Sequence, residues 1–272
     1  MGIEVFADYH THSEYSHGRG SMRGNLEAAK KRGLMSVAIT DHGPATLFGM
    51  GVKREEVLLT IKTKLRALEH HYPELQVLAG VEANVVSLKG DLDVSDEVLA
   101  QLDIVLVGLH PTVEPRTMRD VAGIIGINAL GRFVPAVNRW ARILNTRALV
   151  NAVERHRIDI ITHPGWKLDI DTRALARACR ARGTALEINA AHGFLSRRFV
   201  EVAAAEGVRF AISSDAHDPN QVGRLEAGVA VAQALGLKAD QIINAKEGVR
   251  QGTAAGSQGN SKPEIGRREV VG

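Results

Sequence analysis

Short runs of β-branched and aliphatic residues alternate with amphipathic helical patterns along most of this chain. In residues 57–70, for example, Leu58, Ile61 and Leu65 fall on one face at helical spacing. A strand followed by a helix, repeated in this way, implies parallel strands joined by right-handed crossovers. The pattern therefore predicts an α/β fold, either an open doubly wound sheet or a closed barrel. Seven runs are predicted as strands: residues 3–7, 37–40, 77–81, 104–109, 158–162, 185–188 and 208–213.

Length and composition favour one large globular domain. Of the 272 residues, 44% are hydrophobic and 24% are charged, which is the usual mixture of a folded domain and not that of a disordered or fibrous chain. We predict one domain over residues 1–250. Residues 251–272 are rich in Gly, Ser and Gln and poor in large apolar side chains, so we predict a disordered tail there.

One segment of the predicted domain, residues 112–157, is longer than a plain crossover requires. It contains eight arginines and three acidic residues. These arginines favour two interpretations about equally, a solvated helical face or a lid whose guanidinium groups bind substrate phosphate. An apolar stretch at residues 121–137 suits packing against a partner chain as well as packing on its own barrel, and the sequence leaves the oligomeric state open.

Charge, cysteine usage and the first residues indicate a cytoplasmic protein. The net charge of +3 is only mildly basic and does not require a nucleic-acid partner. With Cys179 as its single cysteine the chain forms no intramolecular disulfide, which favours a reducing compartment. Residues 1–8 lack the pattern of a signal peptide. The apolar stretch at residues 121–130 is shorter than the roughly 20 residues that a membrane span needs, and we expect no membrane partner.

Almost every predicted strand ends in a histidine or a carboxylate, at the position where parallel α/β folds place their active sites. His10 and His12 are two residues apart, so in an extended strand both imidazoles point to one side and can bind one ion. Glu82 and Asp215 end two further strands. One such histidine is more often structural, but the repetition at six strand ends indicates a common site. Seven of the eleven histidines lie there: His10, His12, His17, His42, His110, His163 and His217.

Seven imidazoles and two carboxylates are too many for one tetrahedral ion and suit two or three divalent ions that share a carboxylate. Because neighbouring ions activate water and bind the oxygens of an in-line phosphoryl displacement, we predict hydrolysis of a phosphate ester. The donor set suits zinc, manganese and iron alike. The other histidines are predicted to carry no chemistry: His70 and His71 close a helix, His156 lies in an arginine-rich helix, and His192 lies in a surface loop.

These residues resemble the motifs of the polymerase and histidinol phosphatase (PHP) family, most of all its free-standing bacterial phosphatases. The resemblance spans about residues 3–250. It implies a distorted, TIM-like (β/α)7 barrel with up to three metal ions at the carboxyl ends of its strands. The motifs are His10-Thr11-His12 with His17, Thr40-Asp41-His42-Gly43, Gly80-Val81-Glu82-Ala83-Asn84, Gly108-Leu109-His110, His163-Pro164-Gly165, Leu186-Glu187-Ile188-Asn189 and Ser214-Asp215-Ala216-His217.

The resemblance also implies how the ligands divide among the ions, with every family position filled. Asp8 and Asp41 are not ligands in this scheme, and we expect them to bind imidazole N–H groups or to have a structural role. The implied sets are His10, His12, Glu82 and Asp215 for one ion, His17, His42 and His217 for a second, and His110 and His163, bridged by Glu82, for a third.

The leading hypothesis is a phosphoric monoester hydrolase, a phosphatase that acts on a small phosphorylated substrate with metal-activated water. The expected catalytic residues are His17, Glu82, Asp215 and His217, and Arg19 is a candidate substrate contact. The alternative is a 3′–5′ exonuclease or oligonucleotide phosphodiesterase, similar to the PHP domain of family X polymerases. An aromatic content of only 4% weighs against base stacking. A histidinol phosphatase proper and a non-catalytic metal-binding barrel are weaker hypotheses.

Overall fold

The computed structural model of the protein describes residues 2–192 and 197–248. Its strands are β1 (Gly2–Val5), β2 (Ala7–Asp8), β3 (Ser36–Ile39), β4 (Gln76–Asn84), β5 (Ile104–Gly108), β6 (Ile160–Ile161), β7 (Ala185–Asn189), β8 (Phe210–Ser213) and β9 (Ala245–Gly248). Strands β2 to β8 lie side by side in chain order and pair in parallel, which produces a nearly closed barrel. The prediction of a distorted (β/α)7 barrel is confirmed.

Helices connect the strands on the outside of the barrel. They are α1 (Met22–Lys31), α2 (Glu56–Glu69), α3 (Asp96–Leu99), α4 (Met118–Asp120), α5 (Ile127–Gly131), α6 (Pro135–Arg155), α7 (Thr172–Arg182), α8 (Arg197–Ala205) and α9 (Glu226–Ala234). Because successive strand residues point to opposite faces, β4 divides its apolar side chains between two cores. Val77 packs in the larger core under the helices, and Leu78 packs with Tyr9 and Leu106 inside the barrel.

The two end strands of the barrel, β2 and β8, meet at a seam that side chains help to close. An isolated backbone bridge joins the chain segments that follow them. Asp8 accepts hydrogen bonds from the backbone N–H and the hydroxyl of Ser214. Asn244 donates to the carbonyls of Ala7 and Ile212 at 2.7 Å each and accepts from the Ile212 N–H at 3.0 Å. These groups satisfy backbone atoms that a regular strand ladder would otherwise pair.

The structure corrects the predicted first strand, residues 3–7. Its first half, β1, pairs antiparallel with β9, while β2 belongs to the barrel. The break falls at Phe6, whose N–H donates to the Asn244 carbonyl at 3.0 Å. Exposure alternates along β1, so one of its faces is more open to solvent. The predicted strand 158–162 is also shorter than expected, and the predicted tail lies outside the described residues.

Residues 112–157 form consecutive helices on the outside of the barrel, from α4 through a π-helical turn (Val121–Gly126) and α5 to α6. Asn128 and Asn145 exchange side-chain hydrogen bonds at 2.8 and 2.9 Å, which join α5 to α6. Asn145 also donates to the carbonyl of Asp169, in the loop that follows β6. None of the helices in the described ranges combines the length and the apolar character needed to cross a membrane.

Candidate metal centre

The structure brings all nine predicted ligands together at the carboxyl ends of the barrel strands. Each lies beside another member of the set, with ring centroids as close as 4.2 Å for His17 and His217. His10, His12 and Glu82 are fully buried, whereas the side chain of His217 is 30% exposed. The site is therefore a buried cluster with one side near solvent.

Glu82 lies at the middle of the cluster, near the end of β4. Its Oε1 atom lies 2.9 Å from Nε2 of His163 and 3.3 Å from Nε2 of His110. Its Oε2 atom lies 2.9 Å from Nδ1 of His42 and 3.2 Å from Nε2 of His10. One carboxylate thus faces imidazoles from four different strand ends, as a bridging ligand must.

Asp215 faces the His10–His12 pair from the end of β8. Its Oδ1 atom lies 3.3 Å from Nε2 of His12 and 3.5 Å from Nε2 of His10. Asp215 has a φ of 53° and His163 one of 25°, values that non-glycine residues rarely adopt. Both positions are in this cluster, where strained backbone is common because it aims a functional group.

Three further imidazoles form the more exposed side of the cluster. The ring of His17 lies 4.9 Å from that of His42 and 4.2 Å from that of His217, measured between centroids. Nδ1 of His17 donates to the carbonyl of Met50 at 3.1 Å. This hydrogen bond fixes the tautomer, so the Nε2 lone pair is left for another partner.

The donor atoms of the cluster lie at separations that ligands of a common ion would have. The Nε2 atoms of His10 and His12 lie 3.1 Å apart, and those of His110 and His163 lie 3.2 Å apart. Two ligands of a tetrahedral zinc ion at 2.0–2.1 Å stand roughly 3.3 Å apart. Among the described residues, buried Nδ1 of His42 and Oε2 of Glu82 form no hydrogen bond despite their 2.9 Å separation. These residues fit divalent cations, which require such unpaired lone pairs as ligands.

Electrostatics keeps the carboxylates ionised. Burial opposes ionisation of Glu82, but His10, His42 and His110 hold its pKa well below the usual range. Asp215 has a lowered pKa for the same reason, with His10 and His12 as its main partners. Anionic oxygens at neutral pH are what hard and borderline divalent ions require.

Most of the imidazoles resist protonation because they are buried. Burial lowers the pKa of His17 and of His110 to about 4 and the pKa of His12 well below its ordinary value. His10 and His163 are exceptions: burial lowers both pKa values, but Glu82, Asp215 and Glu187 together raise that of His163 above the ordinary value and that of His10 well above it. In the metal-free protein a proton on His10 therefore balances part of the carboxylate charge.

Two residues that hold ligands in place were not assigned this role from the sequence. Glu187 accepts from Nδ1 of His10 at 2.7 Å and from the backbone N–H of His163 at 2.6 Å. Asn84 accepts from Nδ1 of His110 at 2.7 Å. Both hydrogen bonds leave Nε2 of the histidine as the donor to an ion. The available signal was strand periodicity, because Asn84 is two residues after Glu82 and shares its face.

His192, predicted to lie in a surface loop, lies in a turn after β7 at the edge of the cluster. Its Nε2 atom lies 2.9 Å from Oδ2 of Asp215, and its ring stacks on Trp166 with centroids 4.8 Å apart. Trp166 in turn lies 5.3 Å from the ring of His163. His192 and Trp166 therefore form one wall of the cluster. The sequence does not show this contact, because the loops that follow β6 and β7 meet only when the barrel forms.

The other polar residues singled out from the sequence take structural positions. Asp41 binds the N–H and hydroxyl of Ser13 and the hydroxyl of Ser16, and Asp8 binds Ser214 at the seam. Neither carboxylate binds an imidazole, so the structural alternative is the correct one. Arg19 is exposed, and its backbone N–H donates to the carbonyl of His217 at 2.7 Å. That contact places Arg19 beside the open side of the cluster.

Comparisons with known proteins agree with this geometry. The model of the PHP domain family matches residues 8–162. A protein of Shewanella putrefaciens named "Probable phosphatase" is 31% identical over 265 residues, which cover 93% of each chain. Two solved structures share the fold at low identity. A Listeria monocytogenes protein described as a histidinol phosphatase has a TM-score of 0.60 and 15% identity, covering 80% of this chain and 97% of that one.

The second structure is histidinol phosphate phosphatase from Lactococcus lactis, solved with zinc, L-histidinol and phosphate. It has a TM-score of 0.56 and 16% identity, and the match covers 85% of this chain and 92% of that one. At such identities the two structures support the barrel fold, whereas the family model and the Shewanella relative cover most of the motifs in sequence. On this evidence the chain belongs to the PHP domain family.

Proposed function

We propose that this protein is a metal-dependent phosphatase that hydrolyses monoesters of small phosphorylated molecules. The observation that carries the proposal is the central position of Glu82, whose two oxygens each lie within 3.3 Å of imidazole nitrogens from two strand ends. A carboxylate so placed suits a cluster of ions that share one bridge. The relative named as a phosphatase supports the same chemistry.

The proposed ligand sets agree in part with the proximity of the donor atoms. The donor atoms of His10, His12 and Glu82 form one group close enough together to share an ion, and a second such group contains His42, Glu82 and His110. A third contains His12, His42 and His217, so His12 is close to the proposed second site as well as the first. We assign the first ion to His10, His12, Glu82 and Asp215, the second to His17, His42 and His217, and the third to Glu82, His110 and His163.

The chain contributes orientation and charge to the proposed reaction. Divalent ions bound at such a centre supply Lewis acidity towards phosphoryl oxygens and lower the pKa of water. Glu187 and Asn84 hold His10 and His110 with their Nε2 atoms towards the centre. Arg19, exposed beside His217, is proposed to bind substrate phosphate, for which a guanidinium is suited.

The Lactococcus structure suggests zinc and histidinol phosphate as the first ion and ester to test. Imidazole-rich sites also bind manganese and iron, so all three ions belong in the comparison. The experiment measures metal equivalents per chain and phosphate release from an aryl phosphate and from histidinol phosphate. Two to three equivalents together with phosphate release support the proposal, and no release from any ester in metal-loaded protein contradicts it.

A matched pair of variants connects the activity to the cluster. His110→Ala with His163→Ala removes two proposed ligands, and His70→Ala with His71→Ala removes two adjacent histidines at the end of α2. We expect loss of metal and activity in the first double variant alone. A short labelled oligonucleotide is assayed in parallel. Release of nucleotides without phosphate release from small esters would replace the phosphatase proposal with the oligonucleotide phosphodiesterase.

A further inference from the structure

The turn between α5 and α6 and the outer side of α6 carry large apolar side chains in solvent. Phe133 is 83% exposed and Trp140 is 64% exposed. Surface helices normally place such residues against the core. We define the α5–α6 face by its five exposed apolar residues and three arginines: Leu130, Arg132, Phe133, Val134, Arg139, Trp140, Ile143 and Arg147.

The outward position of these residues follows from the way α6 is held. Ala141, Ala148 and Ala152 are fully buried on one side of the helix. Trp140 and Ile143, three residues apart, lie together on the opposite side. Helix α6 is therefore apolar both towards the barrel and away from it, and its outer side lacks a covering element within the described part of the chain.

The charge of the same face indicates the chemical class of its binding partner. Residues 121–153 contain four arginines and no acidic residue. Arg142 is paired with Asp171 at 3.4 Å, whereas Arg132, Arg139 and Arg147 are exposed and make no ion pair with any described residue. An apolar surface with aromatic residues, surrounded by arginines that lack local counter-charges, is complementary to an anionic, partly apolar partner.

We propose that the α5–α6 face binds an anionic phospholipid surface. Phe133 and Trp140 would enter the headgroup and acyl boundary while the arginines bind lipid phosphates. A symmetric contact with a second copy would instead bring arginine against arginine. Three of the five apolar residues are aliphatic, which gives unstacked bases little to stack on. Such a surface contact requires no spanning helix, so the proposal replaces the expectation of no membrane partner.

Helix α6, which carries much of the proposed face, is hydrogen-bonded to a loop at the rim of the barrel. Asn138 donates to Asp169, and Arg142 donates to the carbonyl of Ile170. Both acceptors belong to the loop that follows His163. Binding through this face would hold the rim of the barrel beside the lipid surface. The proposal goes beyond phosphatase activity and does not depend on it, because lipid binding is measured without substrate.

The test is co-sedimentation of the full chain with vesicles of phosphatidylcholine alone and of phosphatidylcholine mixed with phosphatidylglycerol. We expect binding to the mixed vesicles only, weakened by salt because exposed charges are screened. Phe133→Ser with Trp140→Ser should reduce binding about tenfold or more, because both aromatic anchors are lost. A blue shift of tryptophan emission on binding should disappear in Trp140→Phe.

Two controls separate this face from general charge and from misfolding. Arg132→Gln with Arg139→Gln should weaken binding, whereas Lys31→Gln with Arg209→Gln removes the same charge at the opposite end of the barrel and should not. Circular dichroism and urea unfolding show whether each variant is folded. Absence of binding to the anionic vesicles, or equal binding by the Phe133/Trp140 variant, overturns the proposal. The proposal is also overturned if sedimentation shows that the wild-type protein forms a dimer, or a complex with an oligonucleotide, and that the Phe133/Trp140 variant alone does not.

Discussion

At the scale of single residues, two buried glutamates perform different tasks in the cluster. Glu82 directs both oxygens at imidazole nitrogens, whereas Glu187 directs its oxygens at Nδ1 of His10 and at the backbone N–H of His163. The first arrangement suits a ligand and the second suits a residue that orients ligands. Substitution should therefore affect the number of ions in one case and their affinity in the other.

Glu82→Ala should lose more than one metal equivalent per chain, because a bridging carboxylate contributes to two proposed ion sites and reduces the repulsion between their charges. Elemental analysis after gel filtration measures this. Glu97→Ala, an exposed glutamate on α3, is the control and should retain the wild-type content. Full metal content in Glu82→Ala would show that the bridging role is wrongly assigned.

Glu187→Gln should retain the ions but bind them about 10- to 100-fold more weakly, which is typical for loss of a partner that orients a histidine ligand. Competition with a chromophoric chelator measures the affinity. Glu201→Gln, exposed on α8, is the matched control. Unchanged affinity in a folded Glu187→Gln protein would mean that packing alone positions His10.

At the scale of elements, the seam between β2 and β8 is the place where the barrel depends on side chains. Elsewhere in the barrel, parallel ladders pair the backbone groups of neighbouring strands. At the seam Asn244 supplies three hydrogen bonds to groups of Ala7 and Ile212. Since His10 lies two residues after the end of β2 and Asp215 two residues after the end of β8, the seam also sets the distance between these two predicted ligands.

Asn244→Ala should destabilise the metal-free protein by about 3 kcal/mol, because it leaves buried backbone donors and acceptors without partners, at about 1–3 kcal/mol for each unsatisfied group. Urea unfolding gives the free energy. Asn220→Ala removes an exposed asparagine that binds only its neighbour Asp218 and should cost less than about 1 kcal/mol. Equal losses in the two variants would contradict a special role for the seam.

At the scale of the whole molecule, the cluster places many titratable groups in one buried volume. The consequence for stability has a definite sign. His17 and His110 have pKa values of about 4 in the folded protein because they are buried, against about 6.5 in an unfolded chain. Between these values the unfolded chain binds protons that the folded chain does not bind, so stability falls as the pH falls.

The metal-free protein should therefore lose stability progressively from pH 6.5 to pH 4. The lowered pKa values of Glu82 and Asp215 also reduce stability as the pH falls near the lower limit. The raised pKa of His10 has the opposite effect, because its contribution to stability is lost as the pH rises through the folded pKa, which lies above this range. Urea midpoints across this range measure the slope. His17→Gln with His110→Gln should flatten it, and an unchanged slope in that variant would assign the effect to other groups.

The class of fold and the composition of the candidate site follow from local patterns in the sequence. A strand has a side-chain period of two and a helix one of 3.6, so short windows reveal both elements. The carboxyl ends of parallel strands meet at one rim, so the sequence predicts that strand-end residues such as His42, Glu82 and Asp215 lie close together. The assignment of each ligand to an ion remains a prediction.

Which groups from distant parts of the chain meet depends on the tertiary structure. His10 and Glu187 are 177 residues apart in the chain, and no local pattern shows that one orients the other. Contacts between distant parts of the chain also produce three other features. These are the wall of His192 and Trp166, the seam closed by Asn244 and the outward side of α6. Periodicity shows which side chains are apolar along one element. The partners of those side chains depend on packing between elements, which determines burial, closure of the barrel and hydrogen-bond satisfaction together.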